Sequence, residues 1–517
     1  MPIPSVRRMA GHIGLAQAAH RLRKADQDQV SRQARRHLIE RMGKMRGLPQ
    51  KLGQLISFSS ARETTDPLAA ADYALLQEQA EPLPLEVVQP LLEAAWGRRL
   101  EDVVESIEPH AHAASLGQVH QATLKDGRSV AIKVQYPGIH EAVLADLKIL
   151  GWLSAPVGGL RRGFNLAAYR EVILNDMQQE LDYACEAENQ RHFAAFAASH
   201  PFLQVPQVID EYSTPTVLVS EWREGEHWQA VRENWPEDQR HQLARGLLDF
   251  FLESLFDQGL LHADWHPGNL RFLRQSGGPQ LLLYDFGCVY RPSQTEQLAL
   301  LRLIKATQDG SEPPLPLMLA LGFQREYLEP FADKLPALCR LLFEPFCVDY
   351  AYPVGRWRLA ERTADILGDD RLNFRIAGPP AMIFLLRAFH GLAYYLEGLQ
   401  ADIVWNRPLR NHLDRLATAM AAVPLPPGDQ SGQSFSSLAR FLKMQVREYD
   451  QTKVQLSFNA SRIDDLDSLL DEPLKQKIHE QGIALDDIVR DVRRRGYTPG
   501  PVFELQADSK TVRVWLE

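Results

Sequence analysis

Cysteine is scarce in this chain. Four residues (Cys185, Cys288, Cys339 and Cys347) occur in 517, and none forms a CxxC pair. That argues against a disulfide framework and a clustered thiolate metal site, and it fits reduced thiols in a cytosolic compartment. A long apolar run is missing too. The best stretch, Ala381 to Leu399, is interrupted by Arg387, His390 and Glu397, whereas a spanning helix needs about twenty mainly apolar residues. This stretch reads as a buried helix of a globular lobe, and no transmembrane span is expected. The opening MPIPSVRRMAGHIGLAQAA has two arginines but only a weak apolar stretch, which is not the pattern of a secretory signal. The expected location is cytoplasmic, with peripheral attachment to a membrane.

The charge is uneven. Residues 1–51 hold twelve Lys or Arg against three Asp or Glu, in a chain of net charge -9. A basic, helix-prone arm of this kind suits an anionic lipid surface, nucleic acid or the acidic remainder of its own chain. Asp26, Asp28 and Glu40 interrupt it, so a plain solvated helix face is the competing reading. The expectation here is reversible docking on anionic bilayers, with no nucleic-acid partner.

At 517 residues the chain is too long for one core and should divide. Residues 1–105 read as a helical extension. Residues 106–225 read as a β-containing lobe, with a hairpin at Asp126-Gly127, a long helix over 166–198 and two short strands over 205–222. Helices dominate 226–421, apart from a hairpin around Gly277-Gly278. A Pro/Gly/Ser-rich linker spans 422–437, and 438–517 reads as a small α/β appendage. Its acidic residues Asp464, Asp465 and Asp467 lack the glycine and the spacing of a calcium loop.

The chemistry concentrates in LHADWHPGN (261–269) and YDFG (284–287). Asp264, Asn269 five positions on, and Asp285 on a following strand form the inventory for phosphoryl transfer from ATP. One carboxylate orients the attacking hydroxyl, while an amide oxygen and a second carboxylate hold Mg²⁺. Upstream, Lys133 in VAIKVQYPG lies in an apolar β-prone run, the setting of a phosphate-pairing lysine. Glu180, Asp182 and Glu186 in ELDYACEAEN offer its partners. Glu186 would face Lys133, and the other two would face metal or nucleotide. His262 and His266 are expected to brace the loop. The backbone of Glu221 and Trp222 is the expected adenine hinge. The segment His112-Ala113-Ala114-Ser115-Leu116-Gly117-Gln118 has one glycine where an ordinary kinase phosphate loop has three, so it should hold nucleotide differently.

KLGQ at 51–54, HAASLGQVHQA at 112–122, VAIKVQYPG at 130–138, ELDYACEAEN, HADWHPGN and DFG together resemble the AarF/UbiB (ADCK) family of atypical kinase-like proteins, over roughly residues 40–400. The resemblance implies an α+β, two-lobed protein-kinase-like fold with an N-terminal helical KxGQ extension. That extension would fold over the active site, so Lys51 and Gln54 would belong to the site. It also implies Mg-ATP binding through Ala113, Ala114, Ser115 and Lys133, ATPase chemistry, and a link to ubiquinone or isoprenoid-lipid metabolism, with quinone precursors or a lipid-biosynthesis enzyme complex as partners. The alternative is a nucleotide-sensing scaffold that regulates a membrane enzyme complex. Two positions depart from the family pattern. His112 opens a loop that usually reads Ala-Ala-Ala-Ser, and Trp265 replaces the proline of HADPHPGN.

Overall fold

The computed structural model describes residues 82–114, 116–144, 166–368, 374, 377–426, 434–449, 451–480, 482, 484–507 and 510–517. The basic arm, Lys51, Gln54 and Ser115 lie outside the described residues.

Helix α1 (Leu85–Trp96) leads into the first lobe. Strands β1 (Val104–Ile107), β2 (His112–Ala113), β3 (Gly117–Leu124) and β4 (Ser129–Gln135) follow. β3 and β4 form the hairpin expected at Asp126-Gly127. Gly127 adopts φ +86, and the Asp126 carboxylate accepts the Arg128 amide at 3.0 Å, the local chemistry that suits this dipeptide to a turn. Val130, Ile132 and Val134 are buried on one face of β4, so alternation puts Lys133 on the other.

The helical run expected over 166–198 is broken. α2 (Leu166–Glu180) stops, and α3 (Tyr183–Ser199) starts afresh with Asp182 as its N-cap, whose carboxylate accepts the Ala184 amide at 2.9 Å. β5 (Leu203–Gln204) follows. Of the two strands expected over 205–222, one forms, β6 (Val217–Glu221); the other is reduced to a bridge between Val208 and Ser220. The lobe's sheet is antiparallel in the order β1-β3-β4-β6, with β2 on β3. Val88 and Leu92 of α1 share its small core with Val130, Ile132 and Val219.

The second lobe is mainly helical. α4 (Glu237–Glu253) ends in a π-helical turn, Ser254–Gln258, closed by Gly259 at φ +58. That turn feeds β7 (Leu261–His262). β8 (Leu270–Gln275) and β9 (Gly278–Leu283) form the expected hairpin, and β10 (Val289–Tyr290) pairs back onto β7. α5 (Gln294–Asp309) carries a capping box between Ser293 and Glu296. α6 (Leu359–Leu367) and α7 (Met382–Leu399) are among the lobe's later helices. α7 is the interrupted apolar stretch, and it is a packed helix with Ala388, Leu392, Leu396 and Leu399 buried. Among the described residues no helix is long and apolar enough to cross a membrane.

β11 (Phe441–Glu448), β12 (Gln451–Asn459), α8 (Leu485–Arg494), β13 (Gly500–Ala507) and β14 (Lys510–Leu516) make the appendage. Its antiparallel sheet runs β12-β11-β14-β13. The composition of 422–437 suggested a spacer, yet the cores on either side are continuous. Leu442, Ile463, Val492 and Val514 belong to the same buried cluster as Leu338 and Trp357 of the helical lobe. A buried ionic network joins them as well. Arg362 of α6 bonds Glu344 at 2.6 Å and Asp464 at 2.7 Å. Arg493 of α8 bonds the same Asp464 at 2.7 Å and Asp365 at 2.9 Å. Asp464 is thus committed to two arginines.

Candidate active site

Three segments converge between the lobes. β4 supplies Lys133, whose Nζ donates to both oxygens of Glu186 at 2.6 and 2.8 Å and lies 3.4 Å from Asp285. Burial would lower the Lys133 ammonium, but Asp285 and Glu186 more than offset it and hold it above the usual lysine range. Burial raises the Glu186 carboxyl against the pull of Lys133. For Asp285 burial acts upward too, but the Lys133 charge wins and the carboxyl sits low.

α3 organises this cluster from one face. Glu186 meets Lys133. One turn on, Asn189 donates to the Phe286 carbonyl at 2.9 Å, and Phe193 packs its ring 5.3 Å from that of Phe286. Asp285 adopts φ +53, a left-handed conformation that aspartate tolerates through its own side chain; here the carboxylate accepts the Gly287 amide at 3.2 Å. A Cβ at Gly287 would sit 3.2 Å from Asp285 Oδ1, 3.4 Å from Glu180 Cγ and 3.8 Å from Glu186 Oε2, so these three acids surround it. Asp182 stands apart, spent on capping α3.

The loop from β7 to β8 supplies Asp264 and Asn269. The Asn269 amide donates to the Asp264 carboxylate at 3.0 Å, which leaves its oxygen as the acceptor. His262 braces both halves of the site: Nε2 donates to the Asp285 carbonyl at 2.7 Å, and Nδ1 accepts the Asp264 amide at 3.3 Å. Burial lowers His262, and it drives His266 down to about 4, so both rings are neutral at pH 7. The expected bracing role fits His262, and His266 Nδ1 accepts the Gly268 amide at 2.9 Å.

The alanine-rich segment pairs as a short strand, with His112 opposite Val119 and Ala113 opposite Gln118, while the Ala114 amide donates to the Gly117 carbonyl at 2.9 Å. Gly117 serves close packing. A Cβ there would fall 2.2 Å from the Val134 carbonyl oxygen and 2.6 Å from the Tyr183 hydroxyl. Tyr183 carries the Lys133 ammonium 5.1 Å from its ring centre. Gly117→Ala is therefore expected to cost about 1–3 kcal/mol of stability through overpacking and to weaken nucleotide binding by displacing the neighbours of Lys133. Thermal unfolding and fluorescent-nucleotide titration check this; an unchanged midpoint would show that the strand relaxes freely.

At the expected hinge, the Glu221 amide donates to the Gln207 carbonyl and the Trp222 amide to the Ser129 carbonyl, so neither amide is free for adenine. His112 stacks 6.2 Å from Trp222, which places this departure beside the expected hinge. A cavity of about 970 Å³ opens behind the hinge, lined by Ser129, Phe202, Trp222, Arg223, Leu273 and Gln280. It contains none of Lys133, Asp264, Asn269 or Asp285.

Sequence reasoning missed Arg387. It is only 4% exposed, and its guanidinium bonds the Asp264 carboxylate. Its one signal in the sequence was a charge inside an otherwise apolar helix.

Among the described residues no three His, Cys, Asp or Glu side chains cluster as a metal cage. Mg²⁺ does not require one, because it keeps waters and binds through one or two carboxylates plus phosphate oxygens. Asp285, about one-third exposed, and the Asn269 amide oxygen fit that demand.

A β-lobe with a Lys–Glu pair, above a helical lobe carrying an Asp/Asn loop and a DFG turn, defines a protein-kinase-like fold of the atypical kind, with an alanine-bearing strand in place of a glycine-rich loop. The ABC1 atypical kinase-like domain matches residues 75–312. The chain is 28% identical over 401 residues to the mitochondrial atypical kinase COQ8B of Rattus norvegicus, covering 75% of this chain and 74% of that one. It is 30% identical over 375 residues to the mitochondrial atypical kinase coq-8 of Caenorhabditis elegans, spanning 71% of this chain but about half (49%) of that protein. Among solved structures, Rv3197 of Mycobacterium tuberculosis, determined with erythromycin, is 28% identical with a TM-score of 0.51, covering 74% of this chain and 95% of that one. The domain match and these relatives support membership of the AarF/UbiB family of atypical kinase-like proteins.

Proposed function

We propose that this chain is an Mg-ATP-dependent atypical kinase or ATPase that supports ubiquinone or other isoprenoid-lipid metabolism at a membrane surface. The observation that carries the reading is the Lys133–Glu186–Asp285 cluster facing the Asp264–Asn269 pair. Lys133, fixed by Glu186, would hold the α- and β-phosphates. Asn269 and Asp285 would hold Mg²⁺, which supplies charge neutralisation on the phosphates. Asp264 would orient water or an acceptor hydroxyl and take its proton as the γ-phosphoryl group leaves ADP. The lipid setting draws on the family, on the COQ8-named relatives and on the basic arm at 1–51, where each Lys or Arg near an anionic surface contributes about 1 kcal/mol.

The test is ATP hydrolysis by purified full-length protein, with and without anionic vesicles and quinone-like phenols. Expected are Mg-dependent hydrolysis, stimulation by vesicles or phenols, and salt-reversible co-sedimentation with the vesicles. Absence of Mg-dependent hydrolysis under every condition, with nucleotide binding intact, would replace the enzyme by a nucleotide-sensing scaffold.

A further inference from the structure

The catalytic loop is held from outside the segment that matches the family domain. That match ends at residue 312, whereas α7 lies at Met382–Leu399. Three α7 positions one turn apart, 387, 391 and 395, form a ridge against the loop. Arg387 Nη2 bonds Asp264 Oδ1, and its Nη1 lies 3.8 Å from Cys288 Sγ. At Gly391 the helix comes so close that a Cβ would fall 2.3 Å from Trp265 Cβ. The Tyr395 ring packs 6.2 Å from Trp265. Trp265 is wedged on its other sides by Phe250 and Phe251 of α4 and donates to the His262 carbonyl at 2.9 Å.

The two oxygens of the Asp264 carboxylate thus carry different donors: Arg387 on Oδ1 and Asn269 on Oδ2. A carboxylate gripped at both oxygens by donors on separate elements is fixed in plane as well as in position. A buried arginine in an apolar helix is costly and persists where its charge is paired. Here the partner is the residue on which the proposed chemistry depends.

We propose that Arg387 is a positioning residue of the active site, and that α7, through Arg387 and Gly391, sets the orientation of the Asp264 carboxylate toward the phosphoryl-transfer cleft. This rests on the enzyme reading given above. Arg387 bonds the Asp264 side chain and would act through that carboxylate. Its removal should therefore reduce turnover and spare nucleotide binding.

The experiment compares wild type, Asp264→Asn, Arg387→Met, Arg387→Lys and Gly391→Ala by Mg-ATP turnover per folded molecule, with the folded fraction taken from thermal unfolding and the ADP Kd from fluorescent-nucleotide titration. Arg387→Met is expected to lower kcat by about 10- to 100-fold, the scale of a small misplacement of a catalytic group, with KM for ATP and the ADP Kd within about twofold of wild type. Arg387→Lys should recover part of the loss. Gly391→Ala keeps the arginine but pushes α7 off Trp265, and it should show the same kcat loss. If Arg387→Met does not fold, Arg387→Lys and Gly391→Ala decide. Wild-type kcat in these variants, or parallel loss of turnover and nucleotide binding, overturns the proposal. The controls separate the two ideas: a wild type without Mg-dependent turnover removes the enzyme reading, an Asp264→Asn protein as active as wild type removes Asp264 as its catalytic group, and either result takes this inference with it. Sound controls with a fully active Arg387→Met remove this inference alone.

Discussion

Asparagine at position 264 is expected to lower Mg-ATP turnover by about 10²–10⁴-fold, the usual contribution of a positioned acid–base group. Nucleotide should still bind, because Lys133, Glu186 and Asp285 form a cluster of their own. The substitution keeps shape and removes charge, so Arg387 is left buried without its carboxylate, and a fall in unfolding temperature should accompany the loss of activity. Lys133→Ala should abolish turnover by a different route: it strands the buried Glu186 carboxylate and removes the phosphate partner, so the nucleotide Kd should rise along with the loss of kcat. Asp285→Asn should raise the Mg²⁺ requirement. Steady-state kinetics with Mg²⁺ titration separates the three patterns. An Asp264→Asn protein that keeps wild-type turnover would assign hydrolysis to some other group.

The second large effect is expected far from the cleft. Arg493→Met should destabilise the whole protein by about 3–5 kcal/mol, the cost of breaking a buried ion pair. Arg493 is 3% exposed and bonds Asp464 and Asp365 across the contact between α8 and the helical lobe. The loss leaves Asp365 without the Arg493 cation and Asp464 with Arg362 and the Tyr497 hydroxyl. Urea denaturation followed by intrinsic tryptophan fluorescence should give one cooperative transition at a lower midpoint. Adding Asp464→Leu to Arg493→Met should cost less than the two single effects together, because uncompensated charge is the expensive part. Two separate transitions in the wild type would show that lobe and appendage unfold independently, against the continuous core.

Local chemistry was legible in the sequence wherever neighbours along the chain fix it. Asp126-Gly127 declared its hairpin, Gly277-Gly278 another, and the apolar β-prone run of VAIKV marked the strand that carries Lys133. The order of Lys133, Asp264, Asn269 and Asp285 pointed to the two lobes. What stayed hidden depends on pairings across long stretches of chain. Asp182 read as a site acid because its capping geometry is invisible without the break between α2 and α3. Arg387 read only as a reason against membrane insertion, because 123 residues separate it from Asp264. The Pro/Gly/Ser-rich composition of 422–437 described that segment and could say nothing about the surfaces on either side of it. Those surfaces meet in one core through Leu338, Trp357, Leu442 and Val492.

The order of the appendage sheet has a consequence for how the chain is made. β14 is translated after β11, β12 and β13, yet it lies between β11 and β13, pairing Met444 with Val514 on one side and Leu505 with Val512 on the other. Until it emerges from the ribosome, β11 has only the β12 edge, and a lone two-stranded ribbon is marginal in water. α8 has no finished sheet to pack on. The β-lobe, by contrast, has its whole sheet in hand once β6 has been made. Synthesis should therefore yield a folded first lobe early, while the second lobe keeps apolar surface exposed until residues 510–516 appear. That interval is when the nascent protein would most need a chaperone.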